Sequence, residues 1–508
     1  MLTVGYRVYL STRAQSSELS DLKNLLTRLP STSEFVSQFS FISNEKKNVV
    51  SLKVDPLVLN DVNPLLLQRW AHKMDEQFDC LKRDIPEHWG TMTGSSVLQL
   101  IYAYQNATIP GVMPVCLRVY IDGLNETLPI SPRLDEFAPV LGSNAHSVSD
   151  DTVALVFVTV LKEYDLSQYF PPFLRSFMGY VKRNFVCRFG LLGCHYPFHS
   201  SLFLIESPQF ICETLNFEVS NDECRIAVDR LLLQLVLKWN LSLPKAERCH
   251  ILMSFSKAKL PLTQAIIRNK WLRISLPDTF ILDLRPYHGM TWPKYLAHLR
   301  KQNKRVREAP FDKANGIRLI KNEWELKDSQ FVVSAHEQVA AQRMKHESTP
   351  TMMKPSVDFI EQLKRSGELI SDKEVDPLHV NNLARLVQLK LNNHIVASSV
   401  LFQFYPSLIT SDIAGFDYEK LNQYLTDSNQ NIKLYPVKLA TVTRMALENK
   451  FEFVEFGPTT GESKISIGCT PVPFYGGIYC TSRILRMLTV IIAASHFGFV
   501  SKSRTLGD

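Results

Sequence analysis

Asp412 is the single carboxylate in an otherwise apolar run, Ser407 to Ala414 (SLITSDIA). A carboxyl group taken out of water holds its proton more tightly, so burial there would raise its pKa toward that of a working general base. Asp417 and Glu455 offer the same chemistry; the alternative for all three is a carboxylate facing solvent at a strand end. Tyr405 and Tyr475 are candidate proton donors, though a strand tyrosine also serves simply as packing. Lys464, seven residues past Gly457, is a compact positive charge suited to a phosphate or carboxylate, or else a solvated loop lysine. Arg300, Lys304 and Arg307 share one face at helical spacing, with Leu296 and Leu299 helping to form the buried side. That face is either solvated or an anion-binding wall.

Other chemistry is excluded by spacing. Cys187, Cys194, His195 and His199 read C-x6-C-H-x3-H. The first gap is too long, and no loop separates the cysteine pair from the histidine pair, so no metal is expected. The cysteines, nine in all, are scattered without CxxC pairs, which points to a reducing compartment rather than a disulfide framework. His336, Arg343 and His346 mark a further helix face, either a pocket wall or structural. With 57 basic against 50 acidic side chains the net charge is +7, mild for 508 residues, and gives no reason to expect DNA. A hydrophobic fraction of 45% supplies ample core.

The elements that must position these groups follow from periodicity. Residues 383–391, 395–404 and 407–414 read as three strands, the first two joined by an Asn392-Asn393-His394 turn. A polar loop then leads to a helix over 434–449, a strand over 451–456 and a loop carrying Gly457 and Lys464. Upstream, strands are expected at 49–54, 98–104, 115–121, 152–161, 202–205, 250–255, 276–284 and 317–320. Helices are expected at 19–29, 65–81, 226–239, 262–270, 291–308, 330–346 and 357–364. Hairpin, strand, helix, strand occurs twice, a weak internal repeat. The apolar stretch 484–500 is too short to span a bilayer and reads as a buried final helix or a peripheral membrane contact. No apolar run of signal-peptide length opens the chain, and a cytoplasmic setting is expected.

Three segments carry a resemblance: Trp292 to Arg307 (WPKYLAHLRKQNKRVR), Gly415-Phe416-Asp417, and Phe456-Gly457 through Lys464. Together with the order of elements they resemble the acetyltransferase-like (GNAT) superfamily, over roughly residues 90 to 480. The closer likeness is to its double-domain branch of CelD-type acetyltransferase-like and Fem-type aminoacyl transferase proteins. The resemblance implies an α/β fold of tandem acyl-CoA N-acyltransferase-like halves, with mixed, splayed sheets flanked by helices. Residues 1–90 would be an N-terminal extension, 91–285 the first half, 286–480 the second and catalytic half, and 481–508 an apolar helix and tail.

By the same resemblance the chain is a transferase moving an acyl group from an acyl-CoA to a small-molecule amine. Asp412, Glu455 and Tyr405 are the candidate catalytic groups, and Lys464, Gly457, Arg300, Lys304 and Arg307 would hold the donor. No metal is implied. The glycine-rich phosphate loop of the superfamily is absent, since no glycine occurs between Tyr418 and Tyr435. Two alternatives therefore stand beside acyl-CoA: a Fem-type enzyme using aminoacyl-tRNA, and a non-catalytic binding protein that keeps the fold.

Overall fold

The computed structural model describes residues 39–42, 49–79, 92–122, 151–165, 186–196, 202–215, 221–256, 271–302, 317–321, 324–346, 353–368, 383–391, 394–428, 434–458 and 461–481. The expected helices at 19–29 and 262–270, the turn at 392–393 and the stretch 484–500 lie outside them, as do Lys304, Arg307 and His199. No described helix is long and apolar enough to cross a membrane.

In chain order the first half carries β1 (Phe39–Ile42), β2 (Val49–Pro56), α1 (Pro64–Asp79), α2 (Gly94–Asn106), β3 (Val112–Asp122), β4 (Thr152–Asp165), β5 (Val186–Leu192), β6 (Leu202–Leu204), α3 (Pro208–Thr214), α4 (Asn221–Ser242), β7 (His250–Ser256) and β8 (Leu272–Asp283). The second carries α5 (Trp292–Gln302), β9 (Ile317–Lys321), α6 (Leu326–His346), α7 (Val357–Arg365), β10 (Ala384–Leu391), β11 (His394–Tyr405), β12 (Leu408–Phe416), α8 (Tyr418–Ser428), α9 (Leu434–Glu448), β13 (Phe453–Glu455), α10 (Gly461–Ser466) and β14 (Thr470–Tyr479).

All strands join one mixed sheet in the order β1-β2-β3-β4-β5-β7-β14-β8-β13-β12-β11-β10-β9, with β6 on β4. Among the described strands the order mirrors about the β14–β8 pair, apart from β1, which has no counterpart beyond β9. Each half is an antiparallel meander followed by one parallel pair, β5 with β7 and β12 with β13. Each half then sends its last strand past its partner's: β14 lies between β7 and β8, and β8 between β14 and β13. The repeat seen weakly in the sequence is thus a repeat of topology, and the halves share their central strands. Because β2 pairs with β3, residues 49–56 are part of the first half's sheet.

One hydrophobic core spans both halves. It runs from Trp70 and Tyr104 to Phe359, Phe402 and Ile413, and the Tyr104 ring lies 4.6 Å from that of Phe359. Its centre is α2, which corrects the strand expected at 98–104. Its residues from Gly94 to Ile101 are all buried, as are Ala103 and Tyr104, so no polar stripe marks a helical period. The local signal was a cap: the Thr93 hydroxyl accepts the Ser96 amide at 3.3 Å. α2 is tied across the halves by the Thr93 N–H donating to the Phe404 carbonyl (2.8 Å) and the Ser96 hydroxyl donating to that of Gln403 (3.3 Å).

A second correction concerns the expected polar loop before α9. α8 forms there because Asp417 caps it, accepting the Lys420 amide at 3.0 Å and pairing with its ammonium at 3.1 Å. A third concerns Lys464, which stands on α10 rather than on a loop.

α6 crosses β12 in direct contact. A Cβ on Gly415 would stand 2.6 Å from the Ala335 backbone carbon. Gly415→Ala is therefore expected to force the helix off the strand at a cost of about 1–3 kcal/mol. A lower denaturation midpoint in urea with an unchanged slope would report it.

Candidate active site

β12 and β13 run side by side for three register pairs, Leu408–Phe453, Ile409–Val454 and Thr410–Glu455. β12 continues to Phe416, whereas the chain after Glu455 stays with β8, the Phe456 amide donating to the Phe280 carbonyl at 3.0 Å. The strands therefore part at Thr410 and Glu455, opening a wedge in the sheet. Asp412 stands on the free edge at that point. It is also a bulge: on the other side Leu401 pairs with Ser411 and Val400 with Ile413, leaving Asp412 without a register partner. An extra residue of this kind re-aims its side chain, and bulges gather next to working sites for that reason.

Glu455 forms the base of the wedge. It is buried, its Oε1 accepting the Thr279 hydroxyl (3.0 Å) and its Oε2 that of Thr410 (2.9 Å). Two hydroxyl donors hold this carboxyl group in place, and Asp412 is left as the freer base. Asp412 has its pKa raised to about 7, first by burial and then by the charge of Glu455, against the lowering effects of Lys438, Arg343 and Lys464. It is half-buried and makes no hydrogen bond or ion pair with the described residues.

Two lysines complete the wedge. The Lys464 ammonium is fully buried, donates to the Gly457 carbonyl at 2.7 Å and lies 5.1 Å from the Phe280 ring centroid. Gly457 takes φ +67°, a left-handed value that favours glycine, so the pair closes the turn that leads away from β13. Lys438, in the second turn of α9, was missed by sequence reasoning. It is 7% exposed, and its ammonium lies 6.0 Å from the Tyr435 ring centroid. Burial lowers the pKa of each lysine to about 7; the next lowering cause is Arg343 for Lys438, and Lys438 for Lys464.

Behind the free edge of β12 a chain of buried polar groups links the halves. His336 Nδ1 donates to the Ala414 carbonyl (3.1 Å), and its Nε2 lies 3.1 Å from the Tyr196 hydroxyl. That hydroxyl donates to the Met353 carbonyl (2.7 Å), and the Tyr196 amide donates to the Tyr104 hydroxyl (2.9 Å). Desolvation first, then the charges of Arg343, Lys354 and Lys438, holds the His336 pKa at about 4, so the ring is neutral near pH 7. Arg343 lies two turns further along the same face of α6. The face noted in the sequence is thus structural at His336 and electrostatic at Arg343.

Tyr405 and Tyr475 stand away from the point where β12 and β13 part. Tyr405 precedes β12 at the closed end of the wedge, and the charges that raise its pKa after burial are those of Glu452 and Asp75. Tyr475 lies on β14, paired with β7 and β8. Arg300 falls in α5. Among the described residues no group of three or more His, Cys, Asp and Glu side chains gathers for a metal ion.

No family model matches the sequence, and no curated protein matches it. Among solved structures it is similar to a tandem GNAT protein from the clavulanic acid biosynthesis pathway, at 10% identity over 85% of this chain and 99% of that one, with a TM-score of 0.39. It is also similar to Saccharomyces cerevisiae N-myristoyltransferase with bound myristoyl-CoA, at 9% identity over 89% and 82%, with a TM-score of 0.42. A third is the L-PGS of Bacillus licheniformis, at 10% identity over 68% and 86%, with a TM-score of 0.34. Among the described strands, two halves share one mixed α/β sheet, each with its own parallel pair.

Proposed function

We propose that the chain is an N-acyltransferase that moves an acyl group from an acyl-CoA thioester to an amine in the wedge between β12 and β13. The observation that carries this reading is Asp412, a bulged carboxylate on the free edge with a pKa near 7. An amine is a nucleophile only after losing a proton, and a base poised near neutrality is suited to taking it. The nitrogen then attacks the thioester carbonyl, and the C–S bond breaks as the C–N bond forms. The sulfur leaves with the bonding electrons and takes up a proton, giving an amide and free coenzyme A. The thioester is already activated, so positioning and electrostatics do the remaining work.

Glu455 keeps Asp412 basic, and Lys464 with Gly457 holds the far wall open. The donor's pyrophosphate would lie at the start of α9 rather than α8. The first amides of α8 are already taken, that of Tyr418 by Gln338 Oε1 (3.0 Å) and that of Lys420 by Asp417. Arg300 on α5, with Lys304 and Arg307, remains the proposed anion wall. The eight cysteines among the described residues are all free thiols, which fits a cytoplasmic setting.

The test is thermal stabilisation of the purified protein by coenzyme A, acetyl-CoA and longer acyl-CoAs. A ligand that binds only the folded state adds about 2.7 kcal/mol at a hundredfold excess over its dissociation constant. A rise in Tm with at least one thioester is expected. No shift with any of them would remove coenzyme A as donor carrier and leave aminoacyl-tRNA or a non-catalytic role.

A further inference from the structure

The slack in β12 lies at Asp412. A bulged residue has no partner across the ladder to hold it in place. A bulge one residue earlier or later would give Asp412 a register partner and re-aim its side chain. Contacts outside the ladder must therefore keep it where it is, and two of them bracket it. Before the bulge, the Thr410 hydroxyl is tied to Glu455 at 2.9 Å. After it, α6 holds two consecutive residues. His336 Nδ1 donates to the Ala414 carbonyl at 3.1 Å, and Gly415 is pressed so close to Ala335 that a Cβ would stand 2.6 Å from its carbonyl carbon.

The second fixing is only as firm as the imidazole that makes it. A carbonyl cannot donate, so the hydrogen of that bond belongs to Nδ1, and Nε2 is left to be held by another group. It lies 3.1 Å from the Tyr196 hydroxyl, and the two rings meet edge to face at 5.9 Å. Tyr196 comes from the first half, just past β5. It is placed independently of α6: its amide donates to the Tyr104 hydroxyl on α2 at 2.9 Å, and its hydroxyl donates to the Met353 carbonyl ahead of α7 at 2.7 Å. Tyr196 is 4% exposed and His336 7%, so little water competes for these bonds.

We propose that Tyr196 and His336 are positioning residues for Asp412, forming a strap from the first half through α6 to the Ala414 carbonyl that holds the bulge in register. Neither touches the reacting atoms. The aim of the base in the second half then depends on a side chain of the first. The proposal rests on the transferase reading for its purpose, but the strap is tested without any substrate.

The experiment measures urea midpoints of the full chain at pH 4 and pH 8, with and without Asp412→Asn. It is run in the unsubstituted chain and in Tyr196→Phe, His336→Leu and His336→Asn. A loss of stability common to one background cancels within each pair, so only coupling to Asp412 is read. Glu455, Lys438, Arg343 and Lys464, whose charges act on Asp412 from β13, α9, α6 and α10, are unchanged throughout. In the unsubstituted chain Asp412→Asn should raise the midpoint at pH 8 and leave it unmoved at pH 4. In Tyr196→Phe and His336→Leu that gain should be roughly halved or lost, because a bulge free to slip lets water reach the carboxylate. His336→Asn keeps a donor amide where Nδ1 stands and should restore the gain, which lost packing alone would not do.

An undiminished gain in Tyr196→Phe or in His336→Leu would overturn the proposal, as would equal behaviour of His336→Leu and His336→Asn. No gain from Asp412→Asn in the unsubstituted chain would overturn it too, since no carboxylate would then be held out of water. If one background fails to fold, the other decides. A rise in Tm with acyl-CoA but no coupling would sink this inference alone. Coupling without any acyl-CoA binding would instead sink the transferase reading and leave the strap standing.

Discussion

Asp412→Asn is expected to lower kcat by about 10²- to 10⁴-fold at pH 8, the usual worth of a positioned general base. The amide keeps the shape of the carboxylate and removes its basicity, so the loss should fall on kcat rather than on acyl-CoA affinity. In the unsubstituted enzyme kcat/KM should rise with pH through an inflection near 7, the value to which burial and Glu455 raise Asp412. The variant should lack that inflection. An unchanged profile in Asp412→Asn would remove this residue from the chemistry.

The same substitution carries a stability signature of opposite sign. The folded pKa of Asp412 is raised from the ordinary 3.8 to about 7, so below pH 3.8 the group is protonated in both states and costs nothing. Between those values the folded state binds more protons, and stability falls as pH rises; above 7 the full cost is present. Asp412→Asn should therefore unfold at a higher denaturant concentration than the wild type at pH 8 and at the same one near pH 4. The difference should be on the order of 1–3 kcal/mol, since the group retains some contact with water. A variant that is both inactive and more stable is the behaviour of a residue kept for function.

Lys438→Met is the second large effect, an expected gain of about 1–4 kcal/mol. Replacing a buried charge by an apolar side chain of similar length is often stabilising by that amount. Here the folded pKa is depressed, from 10.5 to about 7. Below 7 the lysine is charged in both states and the burial cost is fully felt. Between 7 and 10.5 the unfolded chain binds more protons, so wild-type stability rises with pH and the cost fades. Urea midpoints at pH 6 and pH 10 check the sign: the advantage of the variant should be large at the first and small at the second. A variant less stable than the wild type at pH 6 would mean that the ammonium has a partner worth more than its burial costs. Lys464, with the same depressed value, differs physically because it donates a hydrogen bond to the Gly457 carbonyl.

Much of this was written locally in the chain. β10, β11, β12 and α9 are legible because each has one face toward the core and one away, and alternation or helical spacing follows directly. Asp412 is legible for the complementary reason, a lone charge in a run that otherwise belongs inside. α2 was not, because a helix buried on nearly every side loses its period and its LQLIYAY then reads as a strand. Lys438 looked like an ordinary helix lysine; the signal available was its place between Val437 and Leu439 in an apolar turn.

What the sequence by itself determined was most of the strands, the helix α9, the repeat and the carboxylate with the chemistry to act as a base. Only the tertiary structure decided that Asp412 is a bulge, because a bulge exists only in the register between β11 and β12. Only it decided that β8 and β14 exchange neighbours, and that Lys438 and Lys464 are buried. These are pairings between residues far apart in the chain. Local pattern records which face of an element is apolar, but not which element that face will meet.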